Sequence, residues 1–480
     1  MRVSPQNASD WFPDLTADPS GTVHLVWASS EVVNSQRYDT IWYTALKDGQ
    51  VIVQPVNIEA QPTAINISAA ARPTIIYDPI GKLHLTFRDE GSTYYAQVPT
   101  ESAKQATQWR FPKSLGGGYF VYVKLDSKGR LHGFITENVP TDDCDICFHI
   151  FHIYSDDDGL NWSERKDVSV VPLGAAKPQI LFDKDDNILI AWEMGRGGTF
   201  GHVRRPNIVA YAASYDRGNS WSTPVTFVPT NAKSEARTPS LALDGKGNLI
   251  LVFHSQTDDF VYYMISTDKG RNWSSPQRIP NLWGTFAVVD SVLDCTSMAV
   301  DSAGVVHLIS VGRTTQDQAV LSVVHTTWNG SWGSPEIVHT QQPGPTGDYP
   351  QWPRIAIGEG NKVHVAWYLR RGGLQRFNSD EEIPNYEIWY STASVNAPFI
   401  PPQPVPTLAP AATARAASTA IIVPTQAPAL SPAQQLPPNP GITLTDLRRE
   451  TDDYMRLGIS LVPAIAVLIL VFGILRLRRR

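Results

Sequence analysis

Cysteine is nearly missing from this chain, with three in 480 residues, so no disulfide framework staples the fold and a hydrophobic core has to hold it. Cys144 and Cys147 stand as Cys-Asp-Ile-Cys with no second pair to complete a four-thiolate site; they read as a local disulfide or as inert thiols. A basic surplus is missing too: 40 Lys and Arg stand against 46 Asp and Glu, a net charge of -6, which leaves no cationic face for nucleic acid as a partner. The run Gly116 to Tyr119 lacks the strand-to-helix setting of a dinucleotide loop, and no cofactor or metal is expected. A secretory leader is also lacking. The opening MRVSPQNASDWFPDL has the character of a domain interior, so we expect either export through a C-terminal helix or a longer product upstream.

What the chain has in quantity is aromatic and turn-forming residues. Fourteen Trp, 17 Tyr and 16 Phe, among short Val/Ile/Leu runs with frequent Gly and Asp, favour strands and tight turns over helices. Seven segments share one plan, a strand, an Asp-x-x-Gly turn and a second strand ending His-Leu-x-Trp or similar. They begin at Phe12, Arg72, Phe120, Lys177, Thr238, Cys295 and Trp352, a spacing of about fifty residues that marks propeller blades. A third strand follows in each, as in IWYTAL from Ile41 and EIWYSTA from Glu387. The expectation is an all-β, seven-bladed propeller over residues 1–395, with six blades as the alternative count. The last unit lacks a fourth strand of its own, and an N-terminal strand around RVSPQN could close the ring and cover its open edge.

Composition changes near residue 396. Residues 396–442 hold twelve prolines and almost no charge, a disordered linker that cannot bury a core. A charged juxtamembrane segment is expected at 443–456. The apolar run 457–475 ends at Arg476, Arg478, Arg479 and Arg480, which reads as a transmembrane helix with a basic cytoplasmic tail at 476–480. The expected placement is therefore single-pass in the cell membrane, with the propeller extracellular, the C-terminus cytoplasmic and the lipid bilayer as a partner.

Three units carry Ser-x-Asp-x-Gly-x-x-Trp between third and fourth strands: Asp157 with Trp162, Asp216 with Trp221, and Asp268 with Trp273. A carboxylate there can accept turn N–H groups while glycine takes positive φ, so these aspartates read as structural. The motif resembles the Asp-box of sialidases and other bacterial-neuraminidase-repeat proteins, a bacterial superfamily that also holds non-enzymatic propellers of adhesive or receptor type.

Loops leading into the innermost strands, and those joining second to third strands, share one face around a propeller axis, where ligand sites collect. Asp10, Trp11, Lys177, His254, Asp294, Asp348, Arg370 and Arg371 fall there, beside the residues named next. The resemblance implies arginines converging on a substrate carboxylate, for which Arg72, Arg237 and Arg313 are candidates. It also implies a tyrosine nucleophile, Tyr349, made more basic by Glu235 or Glu193, with Asp89 as the acid. Arg88 joins the candidate ligand-binding set. Two departures stand out: Ala71-Arg72-Pro73 lacks the isoleucine that normally follows the family's first arginine, and catalytic members usually have six blades. The repeated His24, His84, His132, His307 and His364 lie mid-strand and read as packing residues. The leading functional expectation is a surface-anchored propeller that binds an extracellular saccharide, peptide or protein ligand. An exo-sialidase-like glycoside hydrolase is the alternative.

Overall fold

The computed structural model describes residues 1–406 apart from 6–8, 34–35, 59–70, 90, 110–112, 141–146, 171–173, 197–203, 228–235, 256–257, 285–295, 319, 341–348 and 372–385. Seven antiparallel sheets follow one another along the chain. Six have four strands in simple sequence order and the seventh has three, so the propeller has seven blades. The innermost strands are Ser9–Ala17, Ala71–Tyr77, Val121–Leu125, Gly174–Phe182, Ala236–Leu243, Thr296–Val300 and Tyr349–Gly358.

The three-stranded blade, numbered seven, is completed by the other end of the chain. The Val3 N–H donates to the Ile388 carbonyl at 2.8 Å and the Tyr390 N–H to the Met1 carbonyl at 2.9 Å, and Ser4 Oγ accepts from the Ile388 N–H at 3.0 Å. This pairing removes an open sheet edge.

In six blades the first turn is built by an aspartate; blade 7 has Gly358 at that position. Asp18 Oδ1 accepts the N–H groups of Ser20 and Thr22 at 2.8 and 3.0 Å, and Oδ2 meets His24 Nε2 at 3.2 Å. His24 Nδ1 in turn meets the Tyr43 hydroxyl at 2.8 Å. Asp78, His84 and Tyr95 repeat the chain. Asp126, His132 and His152, and Asp301, His307 and His325, replace the tyrosine by a second histidine. In blades 4 and 5 the amides of Asn187 and Asn248 take the histidine's place on Asp183 and Asp244. His24, His84, His132 and His307 are thus links in buried chains that start at an aspartate, whereas His364 meets the Tyr390 hydroxyl at 2.6 Å without one.

The turns between third and fourth strands lock one blade to the blade before it. Asp268 Oδ1 accepts from Ser266 Oγ and the Asn272 N–H, both at 2.8 Å; Asp157 and Asp216 make the same contacts in their own turns. These hydrogen bonds, the Asn272 side chain foremost, hold Asp268 at a pKa of about 2. Gly218, at φ 88°, lies so close to His152 of the preceding blade that a Cβ would collide with the imidazole.

One sequence expectation is corrected. Among the described residues no helix is long and apolar enough to cross a membrane. The helices they contain are the 3-10 turns Thr100–Ser102 and Ala106–Gln108, against the roughly 20 apolar residues a crossing requires. The transmembrane helix, the bilayer as partner, and the single-pass cell-membrane location with a cytoplasmic tail are accordingly not supported. Residues 407–480, which include the run 457–475, lie outside the described residues.

Candidate functional site

Five of the seven innermost strands carry the same irregularity where they approach the axial loop face. Register slips by a bulge between Trp11 and Asp14, Ala71 and Thr74, Ala176 and Gln179, Arg237 and Ser240, and Gln351 and Arg354. Inside each bulge a residue at positive φ precedes a proline: Phe12, Arg72, Lys177, Thr238 and Trp352 have φ between 48° and 56°. Proline has no N–H for the ladder, so a bulge accommodates it. Positive φ in a side-chain-bearing residue costs on the order of 1–3 kcal/mol and persists only where surrounding contacts hold it.

Three of these bulges, at Phe12, Arg72 and Trp352, bring their side chains into one group. Phe12 and Trp352 meet edge to face with centroids 4.8 Å apart, and Phe120 stacks 6.5 Å from Trp352. The Arg72 guanidinium lies within this aromatic group, 4.1 Å from the Tyr119 ring centre, 4.6 Å from Phe120 and 5.0 Å from Phe12. Arg88 covers Tyr119 as well, at 4.4 Å. Arg72 is only 9% exposed, and its Nε and Nη1 are buried without a hydrogen-bond partner, as is Nε of Arg88. Burial is the main cause of the lowered Arg88 pKa, and the neighbouring positive charge of Arg72 adds to it. Ring faces attract a guanidinium, but they do not replace hydrogen-bond acceptors. An anion with two oxygens would.

The other candidates occupy different settings. Lys177 Nζ lies 3.1 Å from Glu193 Oε1 in a fully buried ion pair, and the same oxygen accepts the Thr238 N–H at 2.6 Å; Glu193 thereby ties blade 4 to blade 5. Arg237 is buried with Nε unpartnered, opposite His254 in the ladder, whose Nε2 meets Ser310 Oγ at 3.1 Å. Arg313 is bonded within the blade 5–6 loops, to Asp259 at 3.2 Å and to the carbonyls of Gln316 and Gly284 at 2.7 and 3.3 Å. Asp89 is buried at the end of the strand Lys82–Asp89, next in sequence to Arg88. Tyr349 begins the inner strand of blade 7, paired with Arg370. Glu235, Asp294 and Asp348 lie outside the described residues.

Thus the structure brings Arg72 and Arg88 together and sets Glu193 beside Lys177. The sequence reading did not single out the aromatic half of the cluster, Phe12, Tyr119 and Phe120. Its only signal was the recurrent residue before proline, whose aim is decided by a bulge. A grouping that could admit a metal, Asp78, His84 and Asp158, already has His84 on Asp78 and the Lys82 ammonium on Asp158.

No protein-family model matches the chain, and no curated protein does. Among solved structures, a polysaccharide lyase of family PL25, an ulvan lyase, superposes with a TM-score of 0.51 at 10% identity, over 81% of this chain and 94% of the lyase. A protein of unknown function from Dyadobacter fermentans gives 0.48 at 13% identity, over 82% and 97%. The intramolecular trans-sialidase of Ruminococcus gnavus gives 0.41 at 12%, over 84% and 98%. At these identities the likeness concerns the fold. The chain is a seven-bladed propeller, similar in fold to the ulvan lyase, and no Asp-box repeat family is assigned to it.

Proposed function

We propose that this propeller takes an acidic saccharide on its axial face and cleaves a glycosidic bond in it. The observation that carries the reading is Arg72: a guanidinium held by three aromatic rings, beside a second arginine, with two buried nitrogens lacking acceptors. A sugar carboxylate matches that need, since its two oxygens fit a guanidinium fork and the rings suit the apolar face of a sugar. The likeness of fold to an ulvan lyase supports a carbohydrate ligand. In this reading Asp89, adjacent to Arg88, serves as the acid, Tyr349 as nucleophile and Glu235 as its partner, with Arg237 extending the binding surface.

Binding without cleavage is the second reading. It is favoured by Arg313 and Glu193, whose polar atoms already have protein partners.

The test is calorimetric titration of the full chain with 3'-sialyllactose, a glucuronate-containing oligosaccharide and neutral lactose, followed by product analysis. Acid-selective binding that Arg72→Ala abolishes supports the site. Equal affinity for lactose, or unchanged binding in Arg72→Ala, overturns it. Products that disappear in Tyr349→Phe establish cleavage, whereas acid-selective binding with no product leaves the second reading.

A further inference from the structure

Residues following the last strand do not leave the ring at once. The Val395 N–H donates to the Asn361 carbonyl at 2.9 Å, and the chain then meets the first turns of four successive blades. Ser302 Oγ in blade 6 donates to the Pro398 carbonyl at 2.5 Å. The Ile400 N–H donates to the Glu359 carbonyl of blade 7 at 2.8 Å, and the Gln403 N–H to the Pro19 carbonyl of blade 1 at 2.7 Å. The Pro406 carbonyl then lies against Gly81 of blade 2, where a Cβ would collide with it; Gly360 likewise leaves room for Pro398 and Ile400.

We propose that these turns form a docking track for an extended proline-rich segment, occupied by residues 398–406 of the same chain, which strap the ring shut across the seams on both sides of blade 1. Contacts advance by two or three residues per blade. Eight residues of extended chain, at about 3.1 Å each, reach about 25 Å, long enough to follow the turns from blade 6 to blade 2. Prolines at 398, 401, 402, 404 and 406 pre-set that extended form and lower the entropy lost on docking. The amides at 400 and 403, which are free to donate, are the ones used. Phe399 and Ile400 are 53% and 52% exposed, so apolar burial is not what holds the strap; backbone hydrogen bonds to turn carbonyls are. The position suits a closure device, because the fourth strand of blade 7, residues 1–4, is held to its third strand, Tyr386–Ser394, by non-covalent contacts alone.

Residue-level hydrogen exchange on the full chain tests the proposal. The amides of Ile400 and Gln403 should exchange at least about tenfold more slowly than those of Phe399 and Val405, for which no acceptor is seen among the described residues. The double variant Ile400→Pro/Gln403→Pro removes both donors, and should lower the melting temperature by a few degrees while the far-ultraviolet spectrum stays that of the parent. Exchange of Ile400 and Gln403 at the rate of an unstructured peptide overturns the docking. An unchanged melting temperature in the double variant overturns the role in closure.

Discussion

Lys362 Nζ stands 2.6 Å from Asp48 Oδ1 across the seam between the last and first blades, 314 positions apart in the chain. Asp48 has φ 50° in the turn between third and fourth strands, and three other blades place a charge the same way. Asp158, Arg217 and Lys269, at φ 59° to 61°, reach Lys82, Asp126 and Asp185 in the first turn of the preceding blade. The sign of the charge differs from seam to seam, while the geometry is constant. Neighbouring blades are therefore matched by complementary charges.

Asp158→Lys should destabilise the protein through repulsion with Lys82, and Lys82→Asp should do the same. The double reversal should recover most of the loss. These are partly exposed pairs, so the coupling in a double-mutant cycle of denaturant unfolding should be about 1 kcal/mol or less.

Gly218→Ala should be far more damaging. It combines strained backbone at φ 88° with a collision against His152, so a loss on the order of 2–4 kcal/mol is expected from thermal or denaturant unfolding. His152→Ala should relieve part of the clash and make the pair less than additive.

Acid should weaken the fold through the buried histidines. Burial lowers the pKa of His132, His254, His325 and His364 to about 4 and of His152 to about 3. The unfolded chain takes up these protons near pH 6.5, so their stabilising effect is complete above that pH and is lost as pH falls from about 6.5 towards 4. Melting temperatures between pH 7.5 and 4 should fall throughout that window, and His152→Gln should flatten the profile.

Asp10 should show the opposite slope. Burial raises its carboxyl to about 6 despite the hydrogen bond from Trp27, so the folded state holds a proton that the unfolded state has released, and stability declines as pH rises from about 4 to 6. Asp10→Asn keeps an oxygen for the Trp27 N–H, which lies 2.9 Å from Oδ1. It should raise the melting temperature at pH 7 and change it little at pH 4.

Arg72→Met should separate binding from stability. Its buried, unpartnered nitrogens are a cost to the ligand-free fold, so thermal stability should hold or rise, while affinity for an acidic saccharide in calorimetry should drop at least about 100-fold. Arg72→Lys should not restore it, because an ammonium cannot present the planar fork.

The blades were legible in the sequence because each is a local object. An aspartate four residues before a strand, a glycine at positive φ and alternating apolar residues act within a single hairpin, and the recurrence of that plan, six times with its aspartate, left little choice of architecture. The Asp157, Asp216 and Asp268 turns were equally readable, since their acceptors and donors lie within four positions. What pairs with what across the ring was not readable. Whether Arg72 faces an acceptor, an aromatic ring or solvent depends on a bulge that turns one residue towards the axis, and on Phe12, Tyr119 and Phe120 arriving from two other blades. Glu193 and Arg313 illustrate the same limit: as letters they are free charges, and only the folded blade supplies the Lys177 ammonium to Glu193, and only the neighbouring blades the Thr238 N–H and the Asp259 carboxylate. Hydrogen bonds of a turn depend on spacing along the chain, whereas the electrostatics of an axial site depend on distances that exist only once seven blades have closed.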